Sequence, residues 1–374
     1  MSEANKPNEF NELIQIEDSP LEEKSAIARF REEFEANKQN IQNVAILVHT
    51  GPDPDCIASA MGMCRILKFF NPEVYCSILY EGEVSHPLNK TMVNVLGIVM
   101  ESIGLDKTPD KLQDDYQCFI AVDCLPERTY LKDVQFDFVV DHHRSDTKMA
   151  KVKDIRQVGA TCSIIWGYMN ELGIELDKTI EADATLATAM VLGIKTDTSD
   201  FVADNVTDLD FEAFKNLLES VNIRSLSNIV NYPIPPYHFD LRKIVDHPDN
   251  VHIENGVFIG GIGYISSGKR DALPVIAEER ARQEGIDTSF IFAVVDNEIQ
   301  VSVRSSGLSV DVNSLCQKIF GKEFAGGKLG AGAARIPMGF LSISDESNEI
   351  KSQMWESVRS VIMARILREM SNHR

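Results

Sequence analysis

From residue 41 onward, short runs of apolar and β-branched residues alternate with helical stretches, and several of those runs end in a carboxylate or an imidazole. NVAILVH closes on His49, YQCFIAVD on Asp123, and FDFVVD on Asp141, followed by His142 and His143. Runs this short and this uniformly apolar have no wet face, so they read as strands buried on both sides. CIASAMGMCRILKFF reads as a helix, VYCSILY as a strand and NKTMVNVLGIVMESIG as a helix; ATCSIIWGYMNELG and TIEADATLATAMVLGI are helical further on. Such alternation predicts an α/β domain with a largely parallel sheet over residues 41–215.

Around that domain the chain changes character. Residues 1–40 are polar and acid-rich, and PLEEKSAIARFREEFEANKQ within them reads as a peripheral helix. Ser19 and Pro20 would open it, with Leu21, Ile27, Phe30 and Phe34 on one side. The proline-rich NYPIPPYHFD (231–240) marks an interdomain linker within 216–244, because proline interrupts helices and central strands. A second, smaller α/β domain is expected over 245–345. It has a strand in GVFIGGIGYI, a helix in DALPVIAEERARQEG, a hairpin of SFIFAVVD with IQVSVRSS around Asp296 and Asn297, and a short helix in DVNSLCQKIFG. Residues 346–374 should form a closing helix.

A length of 374 residues suits more than one domain, and 44% hydrophobic with 25% charged residues is the balance of a soluble globular protein. No stretch approaches the ~18–20 apolar residues of a membrane span, and the start has no signal region, so a cytoplasmic protein is expected. Seven cysteines without a C-x-x-C pair suit reduced thiols better than disulfides or a cysteine zinc site. A net charge of −20 argues against gripping long duplex nucleic acid. It leaves small phosphorylated substrates open, since a few cations reverse the field inside one cleft.

In α/β sheets ligands collect beyond the carboxyl ends of the strands. His49 runs into GPDPDC, which puts His49, Asp53 and Asp55 on one turn; Asp123 and the Asp141-His142-His143 run end other strands, and KTDTSD carries Asp197 and Asp200 after a helix. Singly, each has an ordinary explanation as a helix cap or a surface imidazole. Together, so many carboxylates cost on the order of several kcal/mol of repulsion unless cations sit among them. Oxygen and imidazole donors without thiolate suit Mn²⁺, Mg²⁺, Co²⁺ or Fe²⁺. Two such ions ~3.5–4 Å apart are a recurring device for phosphoryl transfer.

The order His-x-x-x-Asp-x-Asp, strand-end Asp, Asp-His-His and late Asp resembles the DHH phosphoesterase superfamily, and the glycine-rich AGGKLGAGAARIP resembles its DHHA1 domain. Together the motifs, spread over residues 41–345, are specific, although any one alone is weak. The resemblance implies a parallel-sheet DHH metal domain, a smaller α/β DHHA1 domain, and an active site in the cleft between them. It implies two Mn²⁺ ions, with Mg²⁺ or Co²⁺ as substitutes. His49 and Asp53 would hold one ion and Asp55, His142 and Asp197 the other, with Asp123 bridging. His143 would contact the phosphate and assist as an acid, making His143 and Asp123 the catalytic pair, while Asp141 orients an imidazole. Thr161 and Ser163 in GATCS read equally as substrate-side contacts or as an ordinary helix start.

In the second domain Arg304 matches an arginine facing the metal cleft, and Gly326, Gly327, Lys328 and Gly330 match a loop that approaches phosphate. Family members usually read Gly-Gly-Gly-His there, whereas this chain has Gly326, Gly327, Lys328 and Leu329. Lys328 or Arg335 replaces the missing charge but not its geometry. Pro54 and Cys56 stand where many members have Gly and Ala, and neither change removes an expected metal ligand.

The expected function is therefore two-metal hydrolysis of short linear nucleotides, the nano-RNA class, such as pGpG or pApA. Phosphatase action on 3′-phosphoadenosine 5′-phosphate and exopolyphosphatase action come next, and a non-catalytic nucleotide-binding regulator is the rival from another class. The expected partner is a small phosphorylated nucleotide, with neither duplex nor membrane; a homodimer stays open.

Overall fold

Val44, Ile46 and Val48 face one apolar core while their neighbours Ala45 and Leu47 face another. Side chains alternate along a strand, so a run without polar interruptions needs cover on both sides. The computed structural model describes residues 24–104, 108–129, 131–145, 147–306, 310–328, 330–342 and 347–372. Its first sheet contains β1 (Asn43–Leu47), β2 (Tyr75–Tyr80), β3 (Glu101–Ser102), β4 (Cys118–Val122), β5 (Phe136–Asp141) and β6 (Ala150–Ile155). The order is β3-β2-β1-β4-β5-β6 and every pairing is parallel. The strand order reverses between β1 and β4, which opens a crevice beyond their carboxyl ends.

Eight helices accompany this sheet among the described residues: α1 (Ala26–Asn37), α2 (Pro54–Phe70), α3 (Pro87–Leu96), α4 (Pro109–Asp115), α5 (Thr161–Glu171), α6 (Glu181–Asp197), α7 (Asp208–Leu217) and α8 (Ile223–Val230); α9 (Pro236–Val245) packs through Leu241 and Val245 on the sheet that follows. One core face joins Ile57 and Met63 of α2, Ile165 of α5 and Met190 of α6 to Ile46, Ile120 and Phe138 of the strands. α1 docks there through Phe30, whose ring stacks on Phe138 at 4.8 Å.

The second sheet comprises β7 (Val251–Glu254), β8 (Val257–Ile265), β9 (Thr288–Val295), β10 (Glu298–Ser305), β11 (Ala325–Lys328) and β12 (Ala331–Pro337), in the order β11-β12-β10-β9-β8-β7. It is mixed: β8 and β9 run parallel and the other pairs antiparallel. α10 (Ala272–Ala281) covers one face through Leu273 and Ile276. α11 (Val312–Phe320) and α12 (Asn348–Asn372) cover the other.

Several elements depart from the sequence reading. α1 begins after Ser25, whose hydroxyl accepts from the Ala28 N–H, and the expected start at Ser19, Pro20 and Leu21 lies outside the described residues. α3 stops at Leu96 because Gly97 turns left-handed, with φ 61°, and ends the helix. Residues 236–240 of the proline-rich segment are helical, since Pro236 occupies the first turn of α9, where no backbone N–H is required. The expected glycine loop is a β-hairpin, β11 paired with β12.

Candidate metal centre

α2 starts at the end of the first strand's loop, and its cap is part of the site. Asp53 precedes Pro54 and accepts from the Cys56 N–H through Oδ1 (3.2 Å). The same Oδ1 lies 3.4 Å from His49 Nε2. His49 Nδ1 sits 3.2 Å from the Thr50 carbonyl. A proton on Nδ1 satisfies that contact and leaves Nε2 with its lone pair toward the carboxylates. Capping and ligation are therefore compatible roles for Asp53.

Asp123 follows β4 in a left-handed conformation, φ 51°, with its N–H bonded to the Val140 carbonyl (2.9 Å). This backbone costs a non-glycine residue roughly 1–3 kcal/mol, and the strand pairing holds it there. The result is a carboxylate placed between imidazoles. Oδ2 lies 3.8 Å from His49 Nε2, while Oδ1 lies 3.5 Å from His142 Nε2 and accepts from the Thr161 hydroxyl (3.0 Å).

Asp55 is wholly buried in the first turn of α2 and accepts two main-chain bonds from the start of α5, Thr161 N–H to Oδ2 (2.7 Å) and Cys162 N–H to Oδ1 (2.8 Å). That turn is braced from behind by Asp210, which takes bonds from the Gly159 N–H, the Ala160 N–H and the Ser163 hydroxyl. Thr161 and Ser163 are thus both fully buried and bonded to carboxylates, which removes them from the substrate side. Gly193 of α6 lets the helices close behind the site: a Cβ there would meet Cys162 Sγ at 2.8 Å and Asp55 Cα at 3.0 Å.

His142 Nδ1 faces the Val158 carbonyl at 3.0 Å. Its buried Nε2 has no well-aligned hydrogen-bond partner among the described residues and faces Asp197 Oδ2 at 3.0 Å as an ion pair. Asp141 Oδ1 accepts from both the His143 N–H (2.9 Å) and His143 Nδ1 (2.8 Å), which orients that half-exposed ring. Asp200 turns away from the cluster and pairs with Lys195.

These groups fit cations by charge as well as by shape. Burial, then the charges of Asp123 and Asp197, pushes the Asp55 carboxyl well above its ordinary range. Burial and the Asp53 charge raise Asp123 to about 6. Burial works against a charged His142, yet Asp197, Asp123 and Asp55 overcome it and lift the ring to about 10. Protons stand here where positive charge is wanted. The donors fall into sets within 4.8 Å: His49, Asp53, Cys56 and Asp123; Asp123, Asp141, His142 and His143; and Asp55, His142 and Asp197. The orphaned His142 Nε2 fits a metal ligand. Divalent ions held by these sets would supply Lewis acidity and lower the pKa of a water. Cys56 is the donor that the sequence reading leaves out.

Opposite the cluster, the second sheet supplies cations. A cavity of about 660 Å³ is lined by His49 and Thr50 on one wall and by Arg270, Arg304, Arg335, Gly326 and Gly327 on the other. An adjoining cavity of about 390 Å³ shares His49 and Thr50 and continues to Asp53, Asp123 and His143. Two ion pairs tie the walls together, Arg270 to Glu83 at 3.4 Å and Lys90 to Asp271 at 3.1 Å. Arg304 donates to the Val303 carbonyl (2.9 Å) and, among the described residues, forms no ion pair. Burial holds its pKa below the ordinary guanidinium value. Lys328 ends β11 opposite Ala331, Gly330 sits at the hairpin tip with φ 70°, and Leu329 lies outside the described residues. The sequence reading does not include Arg270. It follows β8, so the rule that ligands gather beyond strand ends would find it in the second sheet as well.

Residues 43–194 match the DHH family, N-terminal domain. An uncharacterised protein of Methanocaldococcus jannaschii is 31% identical over 355 residues, which span 94% of this chain and 69% of that protein. Among solved structures, an exopolyphosphatase-related protein from Bacteroides fragilis superposes with a TM-score of 0.61 at 13% identity, covering 90% of this chain and 98% of that one. The strand order of the first sheet, the acid and imidazole cluster at its switch point and these matches lead to one conclusion: the chain belongs to the DHH family of metal-dependent phosphoesterases.

Proposed function

We propose that the protein hydrolyses short linear nucleotides, of the pGpG or pApA kind, to mononucleotides with two divalent ions, Mn²⁺ foremost. The observation that carries this reading is a pair of adjoining cavities that share His49 and Thr50, one lined by Asp53, Asp123 and His143 and the other by Arg270, Arg304 and Arg335. A 5′-phosphorylated dinucleotide has two phosphates to place, one at each end. His49, Asp53 and Asp123 would serve one ion, and Asp55, His142 and Asp197 the other, with Asp123 in reach of both. His143, held by Asp141, would contact the scissile phosphate and give a proton to the leaving oxygen. Gln300, Ser302 and Ser85 also line the cavity and offer hydrogen bonds to sugar and base edges.

Linear polyphosphate is the second reading, favoured by the lack of a Phe, Tyr or Trp ring in the lining of the larger cavity among the described residues. A polyanion needs arginines and no stacking platform, and the structural neighbour is described as exopolyphosphatase-related. A turnover panel of pGpG, pApA, longer oligonucleotides, 3′-phosphoadenosine 5′-phosphate and polyphosphate, with Mn²⁺ present, tests the choice. Dinucleotides should give the highest kcat/KM. Faster turnover of polyphosphate would reverse the order, and a metal-loaded protein inert to every ester would make it a nucleotide-binding regulator.

A further inference from the structure

Cys56 Sγ belongs to the donor set of His49, Asp53 and Asp123, with every donor within 4.8 Å of the others. The residue is fully buried in the first turn of α2, where Cα–Cβ bonds tilt toward the helix N-terminus and hence toward His49 and Asp53. Its thiol donates to the Asp53 main-chain carbonyl at 3.4 Å, which keeps the sulfur on the site's side of the helix. Other cysteines come near without joining a set. Cys162 Sγ is engaged with the Asp55 carbonyl at 3.5 Å and with the Ser59 hydroxyl at 3.4 Å, and Cys124 lines the metal-side cavity. Among the described residues, Cys56 supplies the one sulfur in the three donor sets.

We propose that Cys56 is a fourth donor to the ion held by His49, Asp53 and Asp123, and that it makes this subsite prefer a thiophilic cation such as Co²⁺, Fe²⁺ or Zn²⁺. The inference rests on the metal reading of the cluster. An imidazole with two carboxylates accepts Mn²⁺ or Mg²⁺ readily, whereas adding sulfur shifts the preference toward softer ions. The sulfur–metal bond forms as the thiol proton leaves to solvent, with no change of oxidation state. The set of Asp55, His142 and Asp197 has no sulfur and keeps the harder preference. The two subsites therefore differ, and a mixed-metal pair is the natural loading.

The test uses full-length protein freed of metal with a chelator and titrated with Co²⁺, following both bound metal and near-ultraviolet sulfur-to-cobalt charge-transfer absorption. Wild type should bind two equivalents and develop the band. Cys56→Ser and Cys56→Ala should still bind two equivalents but without the band. Their Co²⁺ affinity at one site should fall at least about tenfold, the smallest loss typical of groups that merely support a ligand, with Mg²⁺ affinity unchanged. Two bound Co²⁺ ions without the band in wild type, or a band that persists in Cys56→Ser, would overturn the proposal while leaving the metal reading intact. Failure of wild type to bind Co²⁺ or Mn²⁺ at all would overturn both. Absence of the band in wild type overturns the proposal whether or not the variants fold, and Cys124→Ser, which should keep the band, separates Cys56 from the neighbouring thiol of the metal-side cavity.

Discussion

The Thr161 N–H donates to Asp55 Oδ2 at 2.7 Å although the residues lie 106 positions apart in the chain. With the Cys162 N–H on the other oxygen, the start of α5 holds both carboxylate oxygens, and the donor atoms of Asp55, His142 and Asp197 lie within 4.8 Å of one another. A metal-facing carboxylate is thereby aimed by a helix start. Gly193 controls how closely α6 presses α2 and α5 together, because a Cβ there would lie 2.8 Å from Cys162 Sγ and 3.1 Å from the Pro54 carbonyl. Gly193→Ala should cost roughly 1–3 kcal/mol of stability by overpacking and weaken metal binding as Asp55 moves. Denaturant melts and metal titration check both effects. Wild-type values in both would show that the helices can part without disturbing Asp55.

Asp123 gives the second test. Asn is the informative replacement, since it tolerates a left-handed backbone and keeps the shape while removing the charge. Asp123→Asn should lower turnover more than about a hundredfold, beyond what loss of a merely supporting group produces. Near-normal activity would remove Asp123 from between the ions.

The paired histidines should separate binding from catalysis. His142→Ala should lose bound metal, because its buried Nε2 faces the carboxylates of Asp123 and Asp197 without a well-aligned hydrogen bond among the described residues. His143→Ala should keep both ions and lose roughly 10²–10⁴-fold in kcat, the usual worth of a positioned acid. Metal analysis and kinetics on the same preparations decide. Equal metal loss in both would show the division of roles to be wrong.

The pH dependence of the metal-free protein follows from two raised pKa values. Asp123, raised to about 6 by burial and Asp53, holds a proton in the fold that the unfolded chain releases near its ordinary 3.8. Stability from this group is complete below the lower value and is lost as pH rises to the upper one. His142 acts in the same direction over a later window: its contribution is complete below its ordinary 6.5 and is lost as pH rises through about 10. Divalent metal replaces these protons, so its stabilising effect should grow with pH. Thermal melts should show a larger rise in Tm from Mn²⁺ at pH 8 than at pH 6. An equal rise at both would mean that metal and protons do not compete for these side chains.

Much of this arrangement is legible in the sequence because α/β sheets put ligands at strand ends, and His49, Asp123 and His142 follow apolar runs that can only be strands. The sheet order is less so. β6 carries Lys151 and Lys153, so an edge strand resembles a loop, and a two-residue β3 has no pattern to detect. The bracing of Asp55 by Thr161 and Cys162 joins residues that no local spacing relates. Cys56 passes for a helix-core residue, since only the tilt of α2 turns its sulfur toward His49. The hairpin of β11 and β12 looks like a loop because its glycines are needed for close packing: a Cβ on Gly327 would meet the Ala331 carbonyl at 2.6 Å.

Arg304 is the residue that tests whether the proposed phosphate-recognition wall is separate from the reaction centre. Its guanidinium lines the larger cavity, whereas Asp123 and His143 line the adjoining one. Under the proposed function a 5′-phosphorylated dinucleotide would reach both, and holding the distant phosphate would orient the scissile bond, so losing that grip would cost catalysis as well as affinity. A charge-assisted contact contributes roughly 1.5–3 kcal/mol, which predicts a fall in kcat/KM of about ten- to a hundredfold for Arg304→Ala on pGpG. Arg304→Lys should recover only part of the loss, because an ammonium cannot make two parallel bonds to one phosphate. Bis-p-nitrophenyl phosphate carries no second phosphate and should be hydrolysed by the variants almost as well as by wild type. If Arg304→Ala instead slows the small ester as severely as the dinucleotide, the arginine acts on the reacting phosphate itself, and the second sheet is part of the reaction centre and not a separate wall.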